Sequence, residues 1–265
     1  MRKEVKDMLN PRVKLFIATC LVLLSAVVCF ASDEVITQVS TIDALMSGVY
    51  DGVTTLGELR KNGDLGTGTL DRLDGELILL DGVFYQVTID GTVVKPDLGT
   101  KTPFAAVTFF TADRSLKLKV GSNFREFTDG TEKWFPSRNI FYAVKMTGTF
   151  RSVKARSVPS QKRPYRPLDE IAKTQPIFEF KNVTGTVVGF WCPPFVKGTG
   201  IPGYHLHFIT SDKKAGGHIL DFVAGDVTAE FDDTREFFLI LPDDDDFDKA
   251  DLARDRTTEL KAVEK

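Results

Sequence analysis

Three Asp-Gly pairs divide residues 71–94 into short runs of aliphatic and aromatic residues. The pairs lie at 74–75, 81–82 and 90–91. Asp-Gly is favoured in the tight turns of hairpins because both residues tolerate positive φ angles. The spacing therefore predicts a β-meander, in which each strand is antiparallel to the one before it.

The rest of the chain alternates between further strand patterns and a few helical ones. Helix signals occur over 40–63, where Ser40 or Thr41 and then Thr54 or Thr55 can cap two short helices. The proline-rich stretch 159–168 is a predicted linker. We predict an α+β fold with two β-rich domains, 32–165 and 166–265, containing mixed or antiparallel sheets and few helices. Further strands are predicted at 103–110, 140–158, 178–192, 229–233 and 236–241, and further helices at 168–174 and 251–265.

The first 31 residues have the organisation of a secretory signal peptide. A basic segment precedes an apolar run of 17 residues that ends at Ala31. We predict cleavage near Ala31, a secreted or periplasmic protein, and no membrane association after cleavage. The alternative is an uncleaved anchor, although the run is slightly short to span a bilayer.

Composition argues against a disordered protein and against a nucleic-acid-binding protein. The chain is 42% hydrophobic and 27% charged, as expected of a globular protein, and its net charge of −3 gives no reason to expect a nucleic-acid partner. Cleavage would leave Cys192 as the single cysteine, so the mature chain would have no internal disulfide.

All three histidines of the chain lie within fourteen residues. His205 and His207 are two apart and share one face of a strand, and the turn-rich segment 211–217 leads back to His218, opposite His207. Three imidazoles with open positions are typical of a catalytic zinc site, while iron, copper and nickel remain possible. The alternative is three hydrogen-bonded histidines in a sheet.

This histidine hairpin, GYHLHFITSDKKAGGHILDF at 203–222, resembles the α-acetolactate decarboxylase family. The resemblance extends to the stretch around 44–86 and to GTFRSVKARSVPSQKRPY at 148–165. It implies conversion of 2-acetolactate to acetoin and CO₂ with zinc and no organic cofactor. It also implies a two-domain, β-rich α+β fold and a homodimer.

The resemblance assigns the zinc ligands to His205, His207 and His218. It places catalytic groups at Glu76 and at Glu264 of the C-terminal tail, with Glu259 as the alternative in that tail. Arg156 is implied to be both catalytic and substrate-binding, and Thr69 to bind substrate.

The residues themselves support these assignments unequally. Glu76 shares a strand face with Ile78 and Leu80, and a carboxylate on an apolar face needs a cation or metal beside it. The alternative is an edge-strand glutamate that reaches solvent. Arg156 shares a face with Lys154, so a solvated basic strand is its plainer interpretation. For Glu264 only the resemblance suggests a role.

Together with these residues, the resemblance implies a metal-stabilised enediolate as the intermediate of decarboxylation. Two other functions remain open. A cupin-like metal oxygenase could carry His-x-His on a strand, but Ser211 stands where that motif has glutamate. A secreted metal-binding protein without activity is the second alternative.

Overall fold

The structure is a computed structural model that describes residues 34–264, so the predicted signal peptide lies outside the described residues. Within that range the chain forms short helices and many strands, as the α+β prediction requires. The strands are β1 (Val35–Val39), β2 (Thr54–Thr55), β3 (Leu65–Thr69), β4 (Glu76–Leu80), β5 (Val83–Val87), β6 (Val93–Val94), β7 (Lys101–Thr102), β8 (Ala105–Thr108), β9 (Arg114–Lys117), β10 (Phe141–Arg156), β11 (Ile177–Cys192), β12 (Gly203–Thr210), β13 (Gly216–Thr234) and β14 (Glu236–Ile240).

The helices are short and lie between or after the strands. Thr41 and Thr55 cap the first two, as predicted, because each side chain accepts a backbone N–H of the first turn. No helix between residues 34 and 264 is long and apolar enough to span a membrane. The helices are α1 (Ile42–Met46), α2 (Leu56–Leu59), α3 (Phe124–Trp134), α4 (Leu168–Ala172), α5 (Asp245–Lys249) and α6 (Thr257–Val263).

The larger sheet contains the predicted meander. Its strand order is β14-β1-β8-β3-β4-β5-β6, and β3 to β6 are successively antiparallel. Asp81 and Gly82 form the two-residue turn between β4 and β5, with φ angles of 50° and 74°. The β1–β14 pair is parallel, so this sheet is mixed.

The second sheet closes on itself. Its order is β10-β11-β12-β13-β9, and β10 also pairs with β13, so four long antiparallel strands enclose an aromatic core. Phe150, Phe208, Phe222 and Phe231 are fully buried there. A second apolar layer, which includes Ile78, packs between strands of the two sheets.

Several sequence expectations differ from the structure in extent. The tail helix is confined to α6, and the pattern at 229–233 is only the end of the 19-residue strand β13. Helix α3 was not predicted, although Asn123 and Glu126 form a capping box at its start. Strands from both sides of residue 165 pair in each of the two large sheets. The predicted domain boundary at that residue stays a prediction.

Candidate metal centre and active-site cavity

The three histidines meet across β12 and β13, as the sequence predicts. His207 is directly opposite His218 in the strand register, and His205 lies two residues before His207 on the same face. The ring centroids are 4.9–5.4 Å apart. One nitrogen from each ring lies within 4.8 Å of the others, so the three imidazoles could hold one metal ion.

His207 is oriented so that one nitrogen is left for a ligand. Its Nδ1 lies 2.9 Å from the backbone carbonyl of Leu77, so Nδ1–H donates to that oxygen. Nε2 is then the unprotonated nitrogen. It is buried, with no hydrogen-bond partner among residues 34–264. A buried lone pair without a donor is costly, and a metal ion would satisfy it.

Burial also keeps the three imidazoles neutral. It lowers the pKa of His207 to about 3, against the opposing effect of the hydrogen bond to Leu77. It lowers the pKa values of His205 and His218 well below the ordinary range, and the nearby Arg156 adds to both shifts. Neutral imidazole is the form that binds metals, so these residues fit a divalent cation.

Two carboxyl groups flank the histidines. An oxygen of Glu76 lies 3.5 Å from His207 Nε2, and an oxygen of Glu264 lies 3.7 Å from His218 Nε2. Burial raises the pKa of Glu76 to about 8 and that of Glu264 to about 7, although Arg156 opposes both shifts. The other tail glutamate, Glu259, pairs instead with Arg254 and does not line the cavity.

Arg156 brings a buried positive charge to the same place. It is 6% exposed and pairs with His218 in the register of β10 and β13. Its Nε has no hydrogen-bond partner within the described chain. The plainer interpretation of Arg156 as a solvated basic residue is therefore wrong, and its guanidinium is available to an anion in the cavity.

Thr69 lies in the cavity wall opposite Glu76 in the β3–β4 register. Its hydroxyl donates to the carbonyl of Gly75 at 2.7 Å, which ties β3 to the turn before Glu76. The oxygen retains a lone pair that can accept a hydrogen bond from a ligand. Its predicted role in substrate binding stays a prediction.

The cavity is small, with a volume of about 50 Å³. Its polar wall contains His205, His218, Glu76, Arg156 and Glu264, and much of the rest is aliphatic. The geometry therefore places a metal-binding group, two carboxyl groups and a guanidinium around one small chamber. That combination can hold an oxygen-rich organic anion and move a proton.

Two polar residues of this region were not predicted from the sequence. Thr67 Oγ1 lies 3.3 Å from His205 Nδ1, and Gln175 lines the cavity wall. The alternation of β3 could have placed Thr67 on the same face as Thr69. For Gln175 the sequence offers no signal, since it follows a short helix in a polar stretch.

The comparisons with known proteins point to one family. The family model described as alpha-acetolactate decarboxylase matches residues 36–254. The alpha-acetolactate decarboxylase of Methanosarcina mazei is 47% identical over 234 residues, which cover 88% of this chain and 81% of the relative. That of Bacillus subtilis strain 168 is 44% identical over 228 residues, covering 84% and 89%.

Solved structures show the same fold. The crystal structure of alpha-acetolactate decarboxylase from Bacillus subtilis strain 168 has a TM-score of 0.85 at 42% identity, covering 87% of this chain and 99% of that one. A Staphylococcus aureus protein of unknown function, described as similar to alpha-acetolactate decarboxylase, has a TM-score of 0.81 at 32% identity and coverages of 86% and 98%. Sequence and fold agree over nearly all of the described residues, and the chain belongs to the alpha-acetolactate decarboxylase family.

Proposed function

We propose that this protein is a zinc-dependent decarboxylase that converts 2-acetolactate to acetoin and CO₂. The observation that carries the proposal is the convergence of three histidines beside one small cavity, whose wall contains His205, His218, two buried carboxyl groups and Arg156. Family membership and the relatives' names support the same reaction and favour it over an oxygenase or a metal-storage protein.

The reaction must stabilise the electron pair that remains when CO₂ departs. Loss of CO₂ breaks the bond between the carboxylate and the carbon that carries the hydroxyl, and the electron pair moves from that carbon toward the neighbouring ketone oxygen. Zinc, when bound by His205, His207 and His218, supplies a Lewis acid that withdraws electron density from oxygen. No organic cofactor is then required for the chemistry.

The side chains of the cavity supply the remaining functions. Arg156 binds the anionic substrate by charge-assisted hydrogen bonds and orients its carboxylate. The carboxyl groups of Glu76 and Glu264 lie 3.5 and 3.7 Å from ring nitrogens of His207 and His218, so either group can be the acid that donates a proton to the carbon that has lost CO₂. Donation from one side of that carbon gives a single acetoin enantiomer.

Acetoin formation by the purified protein tests the proposal. We expect acetoin and CO₂ in equal amounts from 2-acetolactate, loss of activity with a chelator, and recovery when zinc is restored. Arg156→Ala should retain zinc but reduce kcat/KM at least 100-fold, because the substrate anion loses its buried partner.

The matched control is Arg151→Ala, which removes an exposed arginine from the same strand, β10. We expect wild-type kinetics from it. A wild-type protein that forms no acetoin, or that retains full activity after its metal is removed, would contradict the proposed reaction.

We also propose that residues 1–31 direct export to a secreted or periplasmic location and that the mature chain is a homodimer. The basic start followed by 17 apolar residues supports export, and family membership supports the dimer. Sequencing the N-terminus of the exported protein and measuring its mass in solution by light scattering test the two statements. An intact N-terminus or a monomer would contradict them.

A further inference from the structure

A side-chain amide in the cavity wall has no protein partner. Nε2 and Oε1 of Gln175 are both out of contact with solvent, and neither has a hydrogen-bond partner among residues 34–264. Leaving both ends of a buried amide unpaired reduces the stability of the fold. A residue of this kind in a cavity is therefore expected to have a ligand as its partner.

The backbone holds Gln175 in place. It follows helix α4, and its N–H lies 3.5 Å from the carbonyl of Ala172, while Thr174 N–H donates to Ile171 at 3.1 Å. Ile171 is fully buried in an apolar cluster with Leu260 and Val263 of helix α6. Gln175 therefore follows a helix that packs against α6, and Glu264 directly follows α6.

We propose that Gln175 is a substrate-binding residue whose amide recognises the oxygens of the bound keto acid. This inference rests on the proposed function. The 2-acetolactate anion carries acceptors on its carboxylate and ketone and one donor, its tertiary hydroxyl. Nε2 donates to one of the acceptor oxygens, and Oε1 accepts from the hydroxyl.

With this assignment, one wall of the cavity contacts the apolar groups of the substrate and another wall binds its oxygens. The aliphatic wall, which includes Leu45, Leu73 and Val263, accommodates the two methyl groups. Gln175 and Arg156 bind the oxygens. A site that pairs its buried polar groups only with the correct ligand discriminates strongly against analogues that lack those groups.

The test is Gln175→Met, which keeps an unbranched side chain of similar size and removes both hydrogen-bonding atoms. We expect kcat/KM for 2-acetolactate to fall about tenfold, chiefly through a higher KM. The zinc content should stay at the wild-type level. The unfolding temperature of the substrate-free protein should be equal or higher, because an unpaired buried amide has been removed.

The matched control is Gln161→Met. Gln161 is also partly buried, but its amide donates to the carbonyl of Pro159 at 2.7 Å and lies outside the cavity wall. We expect this variant to have wild-type kinetics and a slightly lower unfolding temperature, since it loses a hydrogen bond. Only Gln175→Met should thus lose activity, and only Gln161→Met should lose stability.

Two results would overturn the inference alone, both with an active wild-type protein. One is a Gln175→Met variant with unchanged kcat/KM. The other is a variant whose activity falls together with its unfolding temperature and zinc content, which would make Gln175 a structural residue. A wild-type protein with no activity on 2-acetolactate would instead overturn the proposed function, and this inference with it.

Discussion

The burial of His207 suits it to bind a metal and not to transfer protons. With no exposed surface and a pKa lowered to about 3, its ring is neutral throughout the physiological pH range. Protonation therefore does not compete with metal binding at this residue. The strength of binding then depends on how firmly each ring is oriented, and hydrogen bonds to the second ring nitrogens control that orientation.

Thr67 gives the most direct test of this orientation. Its Oγ1 lies 3.3 Å from His205 Nδ1, and the residue is 2% exposed. Thr67→Val preserves the shape of the side chain and removes the hydroxyl, so we expect zinc affinity to fall about tenfold. Competition with a chromophoric chelator measures the change.

Thr67→Ser is the control for this substitution because it keeps the hydroxyl and loses only a methyl group. We expect it to bind zinc within about threefold of the wild-type affinity. If Thr67→Val binds zinc as tightly as the wild type, the contact with His205 does not orient the ring.

The individual site residues were predictable from the sequence to different degrees. The two-residue spacing of His205 and His207 and the turn before His218 were sufficient to predict that the three imidazole rings lie close together. Glu76 could be suspected because a charge stood on an apolar strand face. Glu264 needed the family resemblance, and Gln175 could not be found at all, since its unpaired amide has meaning only once the cavity exists.

Close backbone packing between β10 and β13 positions His218 beside Arg156. Gly217 precedes His218, and a Cβ placed on it would lie 2.5 Å from the carbonyl oxygen of Arg156. That atom belongs to backbone in the neighbouring strand, so it cannot rotate away as a side chain could. The absence of a side chain at this position therefore allows His218 and Arg156 to lie side by side.

We expect Gly217→Ala to force the two strands apart. The free energy of unfolding should fall by about 3 kcal/mol, and zinc affinity should fall because His218 is displaced. Urea denaturation and a zinc titration on the same preparation measure both effects.

Gly203→Ala provides the control in β12, the strand that pairs with β13 at the histidines. Gly203 has a φ of +86°, but a Cβ there would contact nothing within 4 Å. Its cost should be limited to backbone strain of about 1 kcal/mol, with zinc affinity unchanged. Equal losses of stability in both variants would show that crowding against Arg156 is unimportant.

Local signals explain which elements were predictable. Asp81-Gly82 specified its hairpin because the turn itself demands positive φ, and Thr41 and Thr55 marked helix starts because their hydroxyls can cap. Helix α3 was missed although its capping box was present at Asn123. Phe124, Phe127 and Trp134 have helical spacing, but Asp129-Gly130 in the middle of the segment favours a turn.

Asp232 is a buried acidic residue close to the point where β13 of the second sheet leads into β14 of the larger sheet. It is 3% exposed, lies near the end of β13 and accepts a hydrogen bond from the N–H of Thr111 at 3.1 Å. Burial raises the pKa of Asp232 to about 6 from an ordinary value of 3.8. The folded protein therefore holds this proton more tightly than the unfolded chain does.

The sign of the pH dependence follows from that difference. The contribution of Asp232 favours folding below about pH 4 and is lost as the pH rises through about 6. Asp232→Asn removes the ionisation but keeps an acceptor for Thr111. We expect the variant to match the wild type at pH 4 and to unfold about 3 °C higher at pH 8.

Calorimetry at the two pH values makes the comparison, with Asp129→Asn as the control for net charge. Asp129 is exposed on helix α3, so its substitution removes the same formal charge without changing a buried group. A difference between Asp232→Asn and the wild type that does not change with pH would contradict the prediction.

The arrangement of the whole sheet was less predictable than its parts. The α+β class and the meander follow from local patterns, whereas the pairing of β1 with β14 joins residues 35–39 to 236–240. No short-range pattern encodes a partner that far along the chain. The same holds for β10, whose contacts with both β11 and β13 close the second sheet.

The parallel β1–β14 pair has a consequence for biosynthesis. The outermost strand of the larger sheet cannot dock until the ribosome has translated residue 240, by which time β1 has long since emerged. β1 can pair earlier with β8, but its other edge has no partner until β14 is translated, so the larger sheet stays incomplete during elongation. We expect the late completion of this sheet to keep the chain unfolded enough to pass through a translocation pore, as the proposed export would require.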